Sequence, residues 1–302
     1  MPSPNNLRII YQNLVDLSST TITSPNTASS SSTDNLRSDI KSIVWRSVAG
    51  SQASMILTFA TTRTIGGVIL AFSNLASSSA TIRLVGYTQG NVPSISGTVL
   101  TPGIPATFNT GAVPCCPWNN LNLPVWGTNP VGSSNYSYGG GTYARVWLNE
   151  AQAATPIKYL GIEITDSGNT AGYIEISRLI VGDYWSPTYN TGYGIQAGIK
   201  DLSEHLRTES GDLITKRGPR FKTLGFDLQW MRASDRKEIT KIFLGNGMPK
   251  PLFVSLFPDS TGTDEDFQRE GMHQIYGKMV QIPGVSYTSY EIYSTNMELE
   301  EV

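Results

Sequence analysis

ASMILTFATTRTIGGVILAFSN, residues 53–74, decides the fold. Ile56, Thr58 and the unbroken run from Ile65 to Phe72 are rich in β-branched residues and bounded by Gly, Ser and Asn, the signature of half-buried and fully buried strands. Working outward, SIVWRS (42–47) and ATIRLVGYT (80–88) flank it as further strands of an opening wall. A closing wall lies a hundred residues on, in KYLGIEITDSGNTAGYIEISRLIVGDYW (158–185), where Leu160, Ile162 and Ile164 alternate with other residues. Ile174, Ile176, Leu179 and Val181 continue that pattern with one slip, which predicts a bulge. Two such walls predict a mainly β protein built on a β-sandwich.

Composition agrees. Only 15% of the 302 residues are charged, while Gly, Ser, Thr and Asn are abundant, which suits short strands joined by turns. The sequence has no apolar run long enough for a membrane span, and MPSPNNLRIIYQN lacks the apolar core of a signal peptide, so a cytoplasmic protein is expected. Cys115 and Cys116 are adjacent and form no ordinary structural disulfide. A net charge of −2 gives no reason to expect nucleic acid. Residues 1–190 hold 9 Lys and Arg against 8 Asp and Glu, and residues 191–302 hold 13 against 16, a shift that marks a domain boundary near YWSPTYNTGYG. The expected division is an N-terminal arm or lead-in over 1–33, a sandwich over 34–190 and a second β unit over 191–302.

Within the arm, Leu7 to Leu17 hold enough apolar residues for an edge strand or an arm on a neighbour, and 18–33 are too polar to bury. Residues 89–142 are Pro-rich and loop-like, yet carry Trp118, Trp126, Tyr136 and Tyr138, either packed on the sandwich or exposed for contact. In the last third, FKTLGFDLQWM (221–231) alternates Leu224, Phe226, Leu228 and Trp230 on one expected buried face. A helix follows, with Ser234 as N-cap, Ile239, Ile242 and Phe243 as its apolar face and Gly245 as its stop. PLFVSLF (251–257), IYGKMVQI (275–282) and TSYEIYSTNMELEEV (288–302) complete a small sheet, the last with Tyr290, Ile292, Tyr293, Met297 and Leu299 on the buried side. SEHLRTESGDLITKR (203–217) reads as a hairpin or long arm turning at SGD.

Chemistry-bearing residues are sparse. His205 and His273 have no second ligand at metal spacing, and the Cys-Cys-Pro setting offers nothing to activate a thiol. Gly139 to Gly141 lack the Lys and Ser/Thr of a phosphate loop. The carboxylates Glu163, Asp166 and Glu175, and the run Asp264, Glu265 and Asp266, read as strand edges and a loop. No enzyme, cofactor or metal is expected.

LRSDIKSIVWRS (36–47), TRTIGGVILAFSNL (62–75), ATIRLVGYT, YLGIEITD (159–166) and GYIEISRLIVGDYW (172–185) together resemble the galactose-binding-like, or discoidin-like, jelly roll. That resemblance implies a carbohydrate-binding module as one reading, with Trp45, Arg46, Trp118, Trp126 and Tyr138 as stacking and hydrogen-bonding candidates. With GDYWSPTYNTGYG (182–194), the 203–220 arm, LGNGMPKPLFVSLFP (244–258), IYGK and a terminal MELEEV, the whole chain resembles virion structural proteins of siphovirus-like tailed phages. This second resemblance implies a structural part of a tail tip or baseplate, assembled in the host cytoplasm, whose C-terminal unit is a tail-tube-like sheet with one helix. It also implies a homo-oligomeric ring contacting tail tube, hub, tape-measure and fibre proteins, with a surface glycan as a further candidate partner. Glu204, Arg207, Glu209, Asp212, Lys216, Arg217 and Arg220 would be the assembly arm, holding neighbours by mixed charge pairs and strand addition.

Overall fold

The computed structural model describes residues 6–75, 79–101, 104–115, 142–258, 271 and 273–302. Its strands in chain order are β1 (Arg8–Ile10), β2 (Thr21–Thr23), β3 (Trp45–Arg46), β4 (Gln52–Arg63), β5 (Gly67–Ser73), β6 (Thr81–Tyr87), β7 (Ile95–Ser96), β8 (Val99–Leu100), β9 (Phe108–Pro114), β10 (Thr142–Trp147), β11 (Ile157–Thr165) and β12 (Glu175–Gly182). The last third adds β13 (Gln196–Asp201), β14 (Glu204–Arg207), β15 (Leu213–Lys216), β16 (Arg220–Met231), β17 (Leu252–Ser255), β18 (Gln274–Met279), β19 (Ser286–Ser289) and β20 (Ile292–Glu301). The α-helices whose bounds lie among the described residues are α1 (Glu150–Ala153) and α2 (Ala233–Asn246).

These elements stack in four layers. An outer sheet, β2-β4-β11-β6-β9, faces an inner sheet, β10-β5-β12-β3, and together they form the expected jelly-roll sandwich. Met55, Leu57, Leu84, Leu160 and Ile162 from the outer sheet interlock with Val68, Leu70, Ile176, Leu179 and Val181 from the inner one. A seven-stranded sheet, β1-β17-β18-β20-β16-β13 with β19 paired to β20, lies against the back of the inner sheet. Helix α2 covers its far side through Ile239, Ile242 and Phe243. The second β unit is therefore the expected sheet with a helix laid on it.

This layering explains why β5 and β12 read as continuous apolar runs. Every residue of both strands is buried, because one face meets the outer sheet and the other meets Phe253 and Tyr276 of the C-terminal unit through Ile69, Ala71 and Ile180. The slip in β12 falls beside an irregularity in β5: Phe72 adopts a φ of 53°, and the β10–β5 register shifts there. Phe72 and its neighbour Ala71 thereby both reach the junction with the C-terminal sheet.

Residues 6–33 are not a free lead-in. β1 pairs with β17 as an edge strand of the C-terminal sheet, and Ile9 exchanges two 2.9 Å backbone hydrogen bonds with Trp185. β2 extends the outer sandwich sheet beside β4. The polar stretch is fixed by side-chain hydrogen bonds to backbone instead of apolar burial, which its composition does not reveal. Asn26 donates to the Gly97 carbonyl at 2.9 Å and accepts from the Ser54 amide at 3.2 Å.

The seam between the two units holds charge as well as apolar surface. Arg178, only 3% exposed at its side chain, donates to Asp16 at 2.7 Å and to the Tyr276 hydroxyl at 2.9 Å, and that hydroxyl donates to Asp39 at 2.7 Å. Glu301 gathers Lys41 at 3.0 Å, the Tyr143 hydroxyl at 2.5 Å and the Lys222 amide at 3.3 Å. Burial pushes the phenols of Tyr143 and Tyr276 above their ordinary value, with Glu301 adding for the first, and Asp39 adding for the second against the pull of Arg178. Raised folded-state phenol pKa values give stability that is complete below about pH 10 and is lost as pH climbs further, because the unfolded phenols ionise first. Lys222 acts oppositely, since burial lowers its pKa, but that contribution ends near its ordinary value of 10.5. We therefore expect thermal stability to fall steeply above about pH 10.5, by about 1.4 kcal/mol per pH unit for each phenol. Melting curves across the alkaline range check this: Tyr143→Phe with Tyr276→Phe should flatten the decline, and an unchanged slope would remove the phenols as its cause.

Candidate functional site

The residues singled out for sugar contact on the sandwich separate. Trp45 is fully buried in the sandwich core, and its indole nitrogen donates to Thr27 at 2.9 Å. A ring held between two sheets presents no face to a saccharide, so the stacking role expected for Trp45 is corrected to a core role. Arg46 reaches the buried Glu175 carboxylate from two nitrogens, at 3.0 and 2.5 Å, and lies 4.3 Å from the Tyr173 ring centroid. Trp118, Trp126 and Tyr138 lie outside the described residues. Of the histidines, His205 contacts Thr215 at 2.9 Å and His273 packs edge-on against Phe257. No cluster of three metal-ligating side chains occurs among the described residues, and no helix among them is long and apolar enough to cross a membrane.

The arm residues do come together. β14 and β15 pair as a two-stranded ribbon beyond the β13–β16 pair, with both strands exposed throughout. Glu204 faces Lys216 at 3.6 Å, and Leu206 lies opposite Ile214 on the same face. Leu206, Leu213 and Ile214 are each 55–56% exposed. At the base, Arg220 meets Asp201 at 2.5 Å, and hydrogen bonds from Ser203, with Arg220, hold the Asp201 carboxyl down at about 2. Asp201 therefore keeps its charge into acidic solution. Among the described residues β13 beside it is an open edge of the sheet, all six residues exposed.

A second feature was not legible in the sequence. A cleft of about 750 Å3 opens between the end of β16, the start of α2 and the β19–β20 turn, lined by Tyr189, Trp230, Arg232, Tyr290, Glu291 and Ile292. Strict alternation along β16 places Trp230 with Leu224, Phe226 and Leu228 in the core. Instead the pairing with β20 shifts between Leu228↔Thr295 and Met231↔Tyr293, so two β16 residues oppose one. This bulge sends Met231 inward and leaves Trp230 58% exposed on the cleft. Tyr290, expected on a buried face, sits in the turn and is 81% exposed. The helix boundary moves as well. Residue 232 is the N-cap, Asp235 accepts from the Arg232 amide at 3.2 Å, and Gly247 with a φ of 54° ends the helix, while Ser234 and Gly245 lie inside it.

The chain matches no protein-family model and no curated protein. Among solved structures it is similar to the lectin domain of lectinolysin complexed with Lewis B antigen, at 9% identity and a TM-score of 0.35, over 58% of this chain and 99% of that one. It is also similar to a carbohydrate-binding module from a family 31 glycoside hydrolase of Clostridium perfringens, at 12% identity and a TM-score of 0.34, over 57% and 99%. A Streptococcus pneumoniae fucose-binding module matches at 10% identity and a TM-score of 0.34, over 58% and 99%. These three are a lectin domain and two carbohydrate- or fucose-binding modules, and likeness at this level says nothing of what this chain binds.

Proposed function

We propose that this chain is a non-enzymatic assembly protein whose copies join through the β14–β15 ribbon and the open β13 edge into a homo-oligomeric ring, with the sandwich turned outward. The setting that fits is the tail tip or baseplate of a siphovirus-like phage, with tail tube, hub, tape-measure and fibre proteins as neighbours. The ribbon carries this reading. A lone two-stranded ribbon is marginal in water, and this one exposes an apolar pair next to a sheet edge that is unpaired among the described residues. Its charges balance, three acidic (Glu204, Glu209, Asp212) against three basic (Arg207, Lys216, Arg217), so a second copy meets no net like charge. Such charges select the partner more than they raise affinity.

Replacing residues 203–219 by an Asn-Gly turn is expected to leave a folded chain that sediments as a monomer, whereas the full chain sediments as an oligomer. A full chain that stays monomeric at high concentration would sink the reading.

A second reading, a carbohydrate-binding protein of host-surface attachment, is favoured by the aromatic cleft. Exposed Trp and Tyr faces bordered by hydrogen-bonding groups suit a ligand that is apolar on its flat side and polar at its rim.

A further inference from the structure

We infer that the cleft between β16, α2 and the β19–β20 turn is a binding site for a neutral, pyranose-based oligosaccharide, placed on the C-terminal unit and not on the sandwich loops. The inference rests on the second reading above, that the chain binds glycan, and names the site and the ligand class. Its first support is what the fold gives up to build the cleft. Interrupting β16 with a bulge just where an undisturbed strand would bury Trp230 turns the largest side chain outward. Bulges beside functional sites serve to re-aim a side chain in this way. On the opposite wall Glu291 adopts a φ of 54°, a conformation costly for a residue with a Cβ, and this turn sets Tyr290 at the rim.

The second support is rigidity. Tyr189 is clamped by Arg232, which donates to its hydroxyl at 2.8 Å and lies 5.3 Å from its ring centroid. The segment before Tyr189 is tied to α2 because Thr188 donates to Asp235 from its hydroxyl at 3.1 Å and from its amide at 3.3 Å. The turn is held by the Glu291 amide donating to the Tyr287 hydroxyl at 3.1 Å and by Tyr287 packing on Tyr293 at 5.1 Å. Aromatic faces that are both exposed and fixed lose little conformational freedom when a ligand stacks on them.

Chemistry then selects the ligand. Trp230, Tyr290 and Ile292 offer apolar surface to the C–H face of a sugar ring, while Arg232 only donates and the Glu291 carboxylate only accepts. Sugar hydroxyls do both, so one ring satisfies each of these rim groups. Arg232 and Glu291 also balance in charge, which favours a neutral sugar over an acidic one. A cleft of about 750 Å3 falls within the range of roughly 300–1,000 Å3 usual for small-ligand sites.

The full chain, Trp230→Ala and Tyr290→Ala should be compared on an array carrying neutral and sialylated oligosaccharides, then by calorimetric titration with the best array probe. The expected result is binding of neutral probes by the full chain, at least tenfold weaker binding by each variant, and unchanged melting temperatures, since both side chains are exposed. Full binding by both folded variants would overturn the cleft while leaving glycan binding intact. An array on which the full chain binds nothing would overturn both, and a preference for sialylated probes would overturn the neutral ligand.

Discussion

Trp45→Ala is expected to destabilise the protein by about 3–5 kcal/mol, the range for removing a fully buried large aromatic side chain. Trp45 has no exposed surface, stands on β3 at the edge of the inner sheet, and packs within the core that joins both sandwich sheets. The same change leaves the Thr27 hydroxyl without its indole donor. For a chain of this size that loss corresponds to a fall in melting temperature on the order of 10 °C. Calorimetry reads it directly, and saccharide binding per folded molecule should not change. A Trp45→Ala chain that melts within a few degrees of the parent would restore Trp45 as a candidate contact residue.

Glu301→Ala is the second large effect, again about 3–5 kcal/mol, because it breaks a buried charge cluster by removing one sign. The side chains of Lys41 and Glu301 are only 10% and 5% exposed. Without the carboxylate, the Lys41 ammonium over the Phe72 ring and the Lys222 ammonium over the Tyr143 ring are left as like charges at the seam, and the Tyr143 hydroxyl loses its acceptor. Lys222 keeps part of its surface exposed, yet burial already depresses its pKa with Glu301 present, and removing Glu301 depresses it further. Glu301→Gln keeps one acceptor oxygen, enough for the Tyr143 hydroxyl or the Lys222 amide but not both, and should cost less than Ala. Adding Lys41→Met to Glu301→Ala should recover part of the loss, a coupling of about 0.5–3 kcal/mol. Additive losses in that cycle, or an Ala variant as stable as the parent, would show that the cluster does not hold the two units together.

These expectations place the sandwich and the C-terminal sheet in one mechanical unit. Deleting the ribbon lies at the other extreme, since among the described residues β14 and β15 pair only with each other and no core cluster draws on them. Assembly and stability are thus separable by mutation, which makes the proposed oligomer testable in a folded chain.

The sequence by itself determined the elements whose pattern is local. The apolar runs of β5 and β12, the alternation of β11 and the hairpin over 203–217 follow from side-chain period and turn residues, and the structure contains each. It determined as well that β5 is buried on both faces, but not what covers the second face. Only the tertiary structure decided that, because the cover includes Phe253 and Tyr276, some two hundred residues away in sequence. Only the tertiary structure decided the fate of the aromatic residues too. Trp45 beside Arg46 reads alike in a core and in a binding loop, and Trp230 keeps perfect alternation up to the residue where β20 imposes the bulge. Period is a property of one strand, whereas register and cover belong to strand pairs and sheet pairs, and those nonlocal contacts buried one tryptophan and exposed the other.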